Sequence, residues 1–325
     1  AIETFVMGMV MLAASTLIDR LPRKQVMLFA LAAAVATQAM TAFAHEYWLL
    51  LLARSLSGVA FGLLYSVAIA NGAGAREPQK VFAGAAAIAL VAGTGFNTVM
   101  GYGRVLGVPG LMLAEAVYCL ALSLPLVFMT FPRTLAAASL DEPRVHEHRG
   151  RLLGIGVILI MALLTIGTSG VLLFTVKIAE RVGIVSTALG PGLSLVSLVS
   201  ATGGAMASAL GKRFGNLLPL TIALVIIGIS LLSFPMVTSS AAFWALETLI
   251  VTLFWFISPY IFGLAVEVAG TGRLATASGV AHRVGKTSVG VIGLCSCFVA
   301  ALIAALVVRA LDRAARVTLL AEASS

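Results

Sequence analysis

The stretch "GVAHRVGKTS", residues 279–288, brings His282, Arg283 and Lys286 within five positions of one another inside an apolar run. Two chemistries would use such a set. One is phosphate binding, because G-K-T-S ends like a nucleotide-cradling loop. That loop requires G-x-x-x-x-G-K-[ST] between a strand and a helix; here five residues, not four, separate Gly279 from Gly285, and no soluble strand precedes them. The other is a charged site inside a membrane, where ionisable side chains cost several kcal/mol unless paired or wet and mark proton, ion or substrate paths. His282 and Lys286 are four apart, and Arg283 and Lys286 three apart, so a helix puts all three on one broad face.

Other ionisable residues share that setting. Counted at 1.5 Å per residue from the ends of the apolar runs, Glu3, Arg54, Glu115, Glu247 and Lys286 lie about 6 to 11 Å below one surface. Arg283 and His282 fall a turn deeper, near the midplane, where transporter sites tend to sit. In the functional reading Arg54, Arg283 and Lys286 face a water-filled cavity and bind an anionic group or exchange protons with Glu247, with His282 as a titratable relay. In the plainer reading they pair locally, Lys286 with Glu247 for example, and lock helices together. Glu115 is expected to make a local hydrogen bond near the headgroups. In "FWFISPYIFG", residues 254–263, Trp255 and Tyr260 offer rings to stack a substrate while Pro259 kinks the helix; aromatics there also serve as core or interfacial belt.

The elements that carry these residues are apolar spans. The chain of 325 residues is 60% hydrophobic and only 10% charged, against roughly 25% charged in a soluble domain. Apolar runs recur that are long enough to cross a hydrocarbon core about 30 Å thick. Spans are expected at 2–18, 26–43, 48–70, 81–103, 109–130, 152–176, 184–210, 216–236 and 241–266. A single helix over 274–308 would be about 52 Å long, so two shorter spans broken near Gly290 to Gly293 are expected there, eleven in all. The fold class is all-α, a polytopic membrane protein.

Lys and Arg set the orientation. Alternate connections carry fifteen of them (Arg20, Arg23 and Lys24 in the first) against Arg104, Lys177 and Arg181 in the other set. That bias makes the first set cytoplasmic. The net charge of +8 is then topology, with anionic headgroups as its partner and no need of nucleic acid. Cys119, Cys295 and Cys297 lie in spans without metal-ligand spacing, and "LDEPRVHEHRGR", residues 140–151, reads as a charged linker. No nucleophile, base and orienter set is present, so no enzyme, cofactor or metal is expected. An intramembrane enzyme or a non-transporting receptor is the remote alternative.

Internal repeats organise the chain. "STLIDRLPRKQVM" at 15–27 parallels "SALGKRFGNLLPL" at 208–220, and "KVFAGAAAIALVAGTG" at 80–95 parallels "RLATASGVAHRVGKTS" at 273–288. Two related halves follow, 1–130 and 152–325, joined by a cytoplasmic loop at 131–151.

The first of these motifs is similar to the turn between helices 2 and 3 of the major facilitator superfamily, G-x-x-x-D-R-x-G-R-K, with Asp19, Arg20, Arg23 and Lys24 in place and Ser15 and Pro22 where the pattern has glycine. "ARSLSGVAFG", residues 53–62, resembles the helix 4 pattern R-x-x-q-G, matched by Arg54 and Gly58. The resemblance implies two pseudo-symmetric six-helix bundles, a proton-coupling role for Arg54, and a gating turn in which Asp19 meets the start of the helix that opens at Arg273. Against the helix 5 antiporter pattern G-x8-G-x3-G-P-x-x-G-G, Gly84, Gly93 and Gly101 are in place, while Asn97 and Thr98 replace the G-P pair and Tyr102 the last glycine. Asn97 and Tyr102 are then candidate cavity contacts, and close helix packing is the plainer account of the glycines. The second half has two spans before its basic turn and the first has one, so helix 1 is expected to be missing from this chain; a cleaved signal peptide is the competing account. The expectation is a proton-coupled exporter of small organic molecules, a monomer in a bacterial cytoplasmic membrane, with protons and lipids as its other partners. The alternative is a symporter or uniporter taking up an anionic metabolite.

Overall fold

A computed structural model describes residues 2–17, 22–101, 103–128, 147–172, 174–211 and 213–269. In lipid each backbone polar group must be satisfied within its own segment, which leaves the helix as the form for these apolar runs. Ten α-helices are described: α1 (Ile2–Leu17), α2 (Arg23–Ala42), α3 (Tyr47–Ala73), α4 (Pro78–Gly101), α5 (Gly103–Phe128), α6 (Glu147–Leu172), α7 (Thr175–Arg181), α8 (Ser186–Leu210), α9 (Leu217–Ser233) and α10 (Ser240–Ala269). Six of them are long and apolar enough to cross a membrane. Buried hydroxyls inside the spans satisfy themselves: Thr41, Ser66, Thr165, Thr168, Ser230 and Ser258 each donate 2.8 Å to the carbonyl four residues back.

The helix positions follow the sequence expectations to within a few residues, with two departures. The run expected at 152–176 ends at Leu172, and the seven-residue α7 follows as a separate helix. Arg181 in the last turn of α7 donates to the carbonyls of Pro235 and, at 3.2 Å, Val237, which ties α7 to the end of α9. The second departure is inside α5, where Gly107 takes φ 64° and ψ 177° two residues before Pro109. Glycine adopts that backbone without a Cβ penalty. The two spans expected between 274 and 308 lie outside the described residues.

α1 and α2 pack against α3, and α2 also packs against α5; in the later part of the chain α6, α8 and α9 pack against α10. α4 belongs to the first half by sequence but packs mainly on α8 and then α10. The junction between the halves is therefore α4 against α8 and α10.

Small residues permit this closeness. A Cβ on Gly58 would lie 2.5 Å from the Glu3 carbonyl oxygen, and one on Gly62 would lie 3.0 Å from that of Met7. Gly58 and Gly62 form a G-x-x-x-G face, the spacing that lets membrane helices approach backbone to backbone. On α8 the adjacent Gly203 and Gly204 face different partners: a Cβ on Gly203 would sit 2.2 Å from the Thr252 carbonyl of α10, and one on Gly204 would sit 2.8 Å from the Ala83 carbonyl of α4.

Candidate functional site

Glu3, Arg54 and Glu115, three of the residues expected in one charged layer, lie together in the first half. Arg54 and Ser57 are three apart on α3 and share its face, and the missing side chain of Gly58 brings the start of α1 against them. Arg54 forms an ion pair with Glu3. Its Nη1 donates to Gln38 Oε1 at 3.0 Å, Ser57 Oγ donates to Glu3 Oε1 at 2.9 Å, and Gln38 Nε2 donates to Ser57 Oγ at 3.4 Å. Gln38 and Ser57 are fully buried, and the Arg54 and Glu3 side chains are 29% and 20% exposed. The ring closes on itself, so each charge has both an opposite charge and a neutral hydrogen-bond partner, as a charge inside a span needs. Met112 of α5 lies 3.9 Å from Arg54 Nη1. Glu115, half-buried a turn farther along α5, is near enough to Arg54 and Glu3 to interact electrostatically with both.

Glu247 stands apart. It lies on α10 in the second half, 3% exposed, and its Oε2 has no hydrogen-bond partner among the described residues. No hydrogen bond or ion pair joins it to the Arg54 ring among the described residues. Its expected partner Lys286, with His282 and Arg283, lies outside them, as do Tyr102, Asp19 and Arg20. Asn97 sits on α4, its side chain also outside them. Of the turn expected to act as a gate, Lys24 is exposed and Arg23 is buried, donating from Nη1 to Asn71 Oδ1 at 3.2 Å and to the Ala70 carbonyl at 3.5 Å. Arg23 thus ties the start of α2 to the end of α3.

Between the halves, α3, α4 and α10 line a partly open cavity of about 190 Å³. Tyr65, Phe82, Trp255 and Phe262 supply rings to its wall; Ala68, Ala85, Ala86 and Ala89 supply methyls; Ser258 and Pro259 complete the α10 side with Ile69 opposite. Phe82 and Phe262 touch across the junction with centroids 5.3 Å apart. Trp255 lines the cavity as the sequence suggests, but Tyr260 does not. Five residues on a helix of 3.6 per turn rotate a side chain by about 140°, which carries Tyr260 away from the cavity-facing stripe of Trp255 and Pro259. Tyr260 is fully buried, and its hydroxyl donates to the Gly211 carbonyl at 3.2 Å. Gln79 at the start of α4 donates to the same carbonyl at 3.3 Å. One oxygen at the end of α8 therefore accepts from both halves of the chain. Thr98 of α4 also donates to Ser194 of α8 at 3.3 Å.

Ser57 stands in the polar position of the helix 4 pattern, but Gln38 and Gln79 were not singled out by the sequence reading. The available signal was a long polar side chain inside or at the edge of an apolar run, which has to find a partner.

The model for the family described as the Major Facilitator Superfamily matches residues 1–294. No curated protein matches the chain significantly. Among solved structures, the crystal structure of the human organic anion transporter MFSD10 (TETRAN) is similar with a TM-score of 0.64 at 18% identity, covering 94% of this chain and 77% of that one; at that identity the likeness is one of fold. With a family match over most of its length, apolar helices long enough to span and two bundles meeting along α4, α8 and α10, the chain belongs to the major facilitator superfamily of multi-pass membrane transporters.

Proposed function

We propose that the protein is a secondary active transporter that exports a small organic molecule by alternating access, driven by protons entering in exchange. The observation that carries this reading is the Glu3–Arg54 pair within the ring of Gln38 and Ser57. Protonating Glu3 removes one charge of the pair and leaves Arg54 with neutral partners, so the contact of α1 with α3 differs in energy between the two protonation states. A ligand or proton shifts a conformational equilibrium only through such a difference. Glu247 serves as the corresponding acid of the second half, with Lys286, Arg283 and His282 as its partners. Asn97 and Tyr102 serve as substrate contacts. Asp19, Arg20, Arg23 and Lys24 gate the cytoplasmic side, and Asp19→Asn should alter turnover more than affinity. The protein works as a monomer in a bacterial cytoplasmic membrane.

The test is proton movement in everted vesicles holding an imposed pH gradient, with cationic, neutral and anionic compounds added in turn. Proton efflux set off by one charge class, and lost in Glu3→Gln, Glu247→Gln or Lys286→Ala, is the expected result. A gradient that no class disturbs, while labelled organic anions still equilibrate, would sink the exporter reading. It would leave the second one, uptake of an anionic metabolite by a symporter or uniporter. That reading draws on Arg54, Arg283 and Lys286 and on the organic anions named for the MFSD10 structure.

A further inference from the structure

The cavity between α3, α4 and α10 has a chemistry of its own. None of its described lining residues is charged. A carboxylate or ammonium placed there would lose hydration and gain no counter-ion on the described wall, a transfer that is strongly unfavourable. The wall instead offers four rings, and aromatic groups prefer the offset or edge-on contacts that such rings provide. In size it exceeds the engineered cavity of about 150 Å³ that binds benzene, so it has room for one aromatic ring with a small fused or attached group.

One backbone carbonyl beside that space lacks its helical donor. Pro259 has no N–H, so the carbonyl of Trp255, four residues before it, loses its helical donor. A helical carbonyl points along the axis toward the residue four ahead. The Trp255 carbonyl therefore lies between the side chains of Trp255 and Pro259, both of which line the cavity. The Ser258 hydroxyl on the wall is already committed to the Phe254 carbonyl at 2.8 Å. Among the described residues no side chain donates to the Trp255 oxygen. Carbonyls freed by proline in membrane helices are commonly satisfied by a neighbour or a water, and a ligand donor fits that need.

We propose that this cavity is the substrate site, and that it takes a neutral, ring-bearing molecule of about the size of indole or phenol whose single N–H or O–H donates to the Trp255 carbonyl. The inference rests on the transport reading above and narrows it: the substrate is uncharged, and the charged residues serve coupling rather than binding.

The experiment uses the protein in nanodiscs and equilibrium dialysis with labelled indole as the probe. Saturable binding is expected, about fivefold to tenfold weaker for N-methylindole, which lacks the donor, and absent for indole-2-carboxylate. Ala89→Phe puts a ring into the cavity from an exposed lining position and should abolish indole binding with Tm unchanged. Ala68→Leu, on the α3 wall, serves in its place should Ala89→Phe lower Tm. Displacement of indole by indole-2-carboxylate as effective as by unlabelled indole would overturn the proposal, and so would full binding in both filled-cavity variants. Proteoliposomes with a pH gradient separate the two readings. Indole that binds but is never moved by the gradient sinks the transport reading and keeps the site. Gradient-driven flux of a compound that is undiminished in Ala89→Phe and Ala68→Leu keeps transport and sinks the site.

Discussion

The outer part of the first half and the junction between the halves are held by different forces. In the first, Glu3, Arg54, Gln38 and Ser57 close a ring of directional bonds across α1, α2 and α3. At the second, α4 meets α8 and α10 through Gly204, Ala83 and the Phe82–Phe262 contact, with few hydrogen bonds, among them the shared Gly211 carbonyl. Directional bonds fix one geometry. Close packing of small residues with few directional bonds lets two surfaces separate with little to break. On this contrast, α1–α3 is expected to stay fixed while the α4–α8 contact adjusts.

The sharpest way to break that comparison is at Arg54. Arg54→Ala leaves Glu3 without its counter-charge, and an unpaired charge inside a membrane span costs several kcal/mol. Tm should fall sharply, and proton-coupled transport should disappear. Changing both partners together, Arg54→Gln with Glu3→Gln, leaves no stranded charge and should recover most of the Tm while transport stays uncoupled. Equal losses of Tm in the single and double variants would show that the pair does not carry the rigidity of this region.

The adjacent glycines of α8 sharpen the comparison at the junction. Helix propensity alone would favour alanine over glycine by about 1 kcal/mol, so any loss must come from the contact. Gly203→Ala drives a methyl against the Thr252 backbone inside the second half, and overpacking of this kind costs about 1 to 3 kcal/mol. Tm should fall with the relation of the halves unchanged. Gly204→Ala presses instead on Ala83 and Ala87 of α4 and should part the halves. Spin labels at the exposed Glu77 and Phe214 report this as a longer distance in Gly204→Ala and an unchanged one in Gly203→Ala. The reverse pattern would undo the division of labour between the two glycines.

Much of this was legible in the sequence because lipid simplifies the code. Apolar run length gives each span, and the expected starts and ends of α1 to α4 differ from the structure by only a few residues. Depth counting put Glu3, Arg54 and Glu115 in one layer, and the structure brings them together. What depth cannot give is azimuth between helices. It could not separate Glu247, on α10, from the Arg54 ring, nor pick out Gln38, whose partner Arg54 is on another helix. Along one helix azimuth is calculable, and the rotation from Trp255 to Tyr260 was readable in advance. The kink at Gly107 and the separate α7 were hidden because a run of apolar residues does not record a local change of backbone direction.

A smaller effect tests the polar part of the junction. Tyr260→Phe removes one of the two donors to the Gly211 carbonyl and leaves Gln79 in place. A net loss of about 0.5 to 1.5 kcal/mol is expected, read as a modest fall in Tm. Gln79→Ala with Tyr260→Phe should lose more than the sum of the two single changes, because only the pair leaves the oxygen with neither side-chain donor. Strict additivity in that double-mutant cycle would mean that the two donors do not act on one acceptor.

The smallest effect belongs to a second carboxylate-to-cation pair, in the loop before α4. Glu77 Oε2 lies 2.5 Å from Lys80 Nζ with both side chains at least half exposed. The hydrogen bond from Lys80 and then its charge hold the Glu77 carboxyl below its ordinary value of 4.5. A carboxyl lowered on folding adds stability that is present above the unfolded-state value and is lost as pH falls through the folded one, so any contribution is lost only on the acid side of the ordinary carboxylate range. Exposed pairs are worth little even when well formed. Glu77→Gln should leave Tm at neutral pH unchanged, whereas Glu3→Gln, the same chemical change made inside the membrane, should shift it by leaving Arg54 without its carboxylate. A Tm shift as large for Glu77→Gln as for Glu3→Gln would mean that the surroundings do not set the worth of these pairs, and the contrast between the two regions would fail with it.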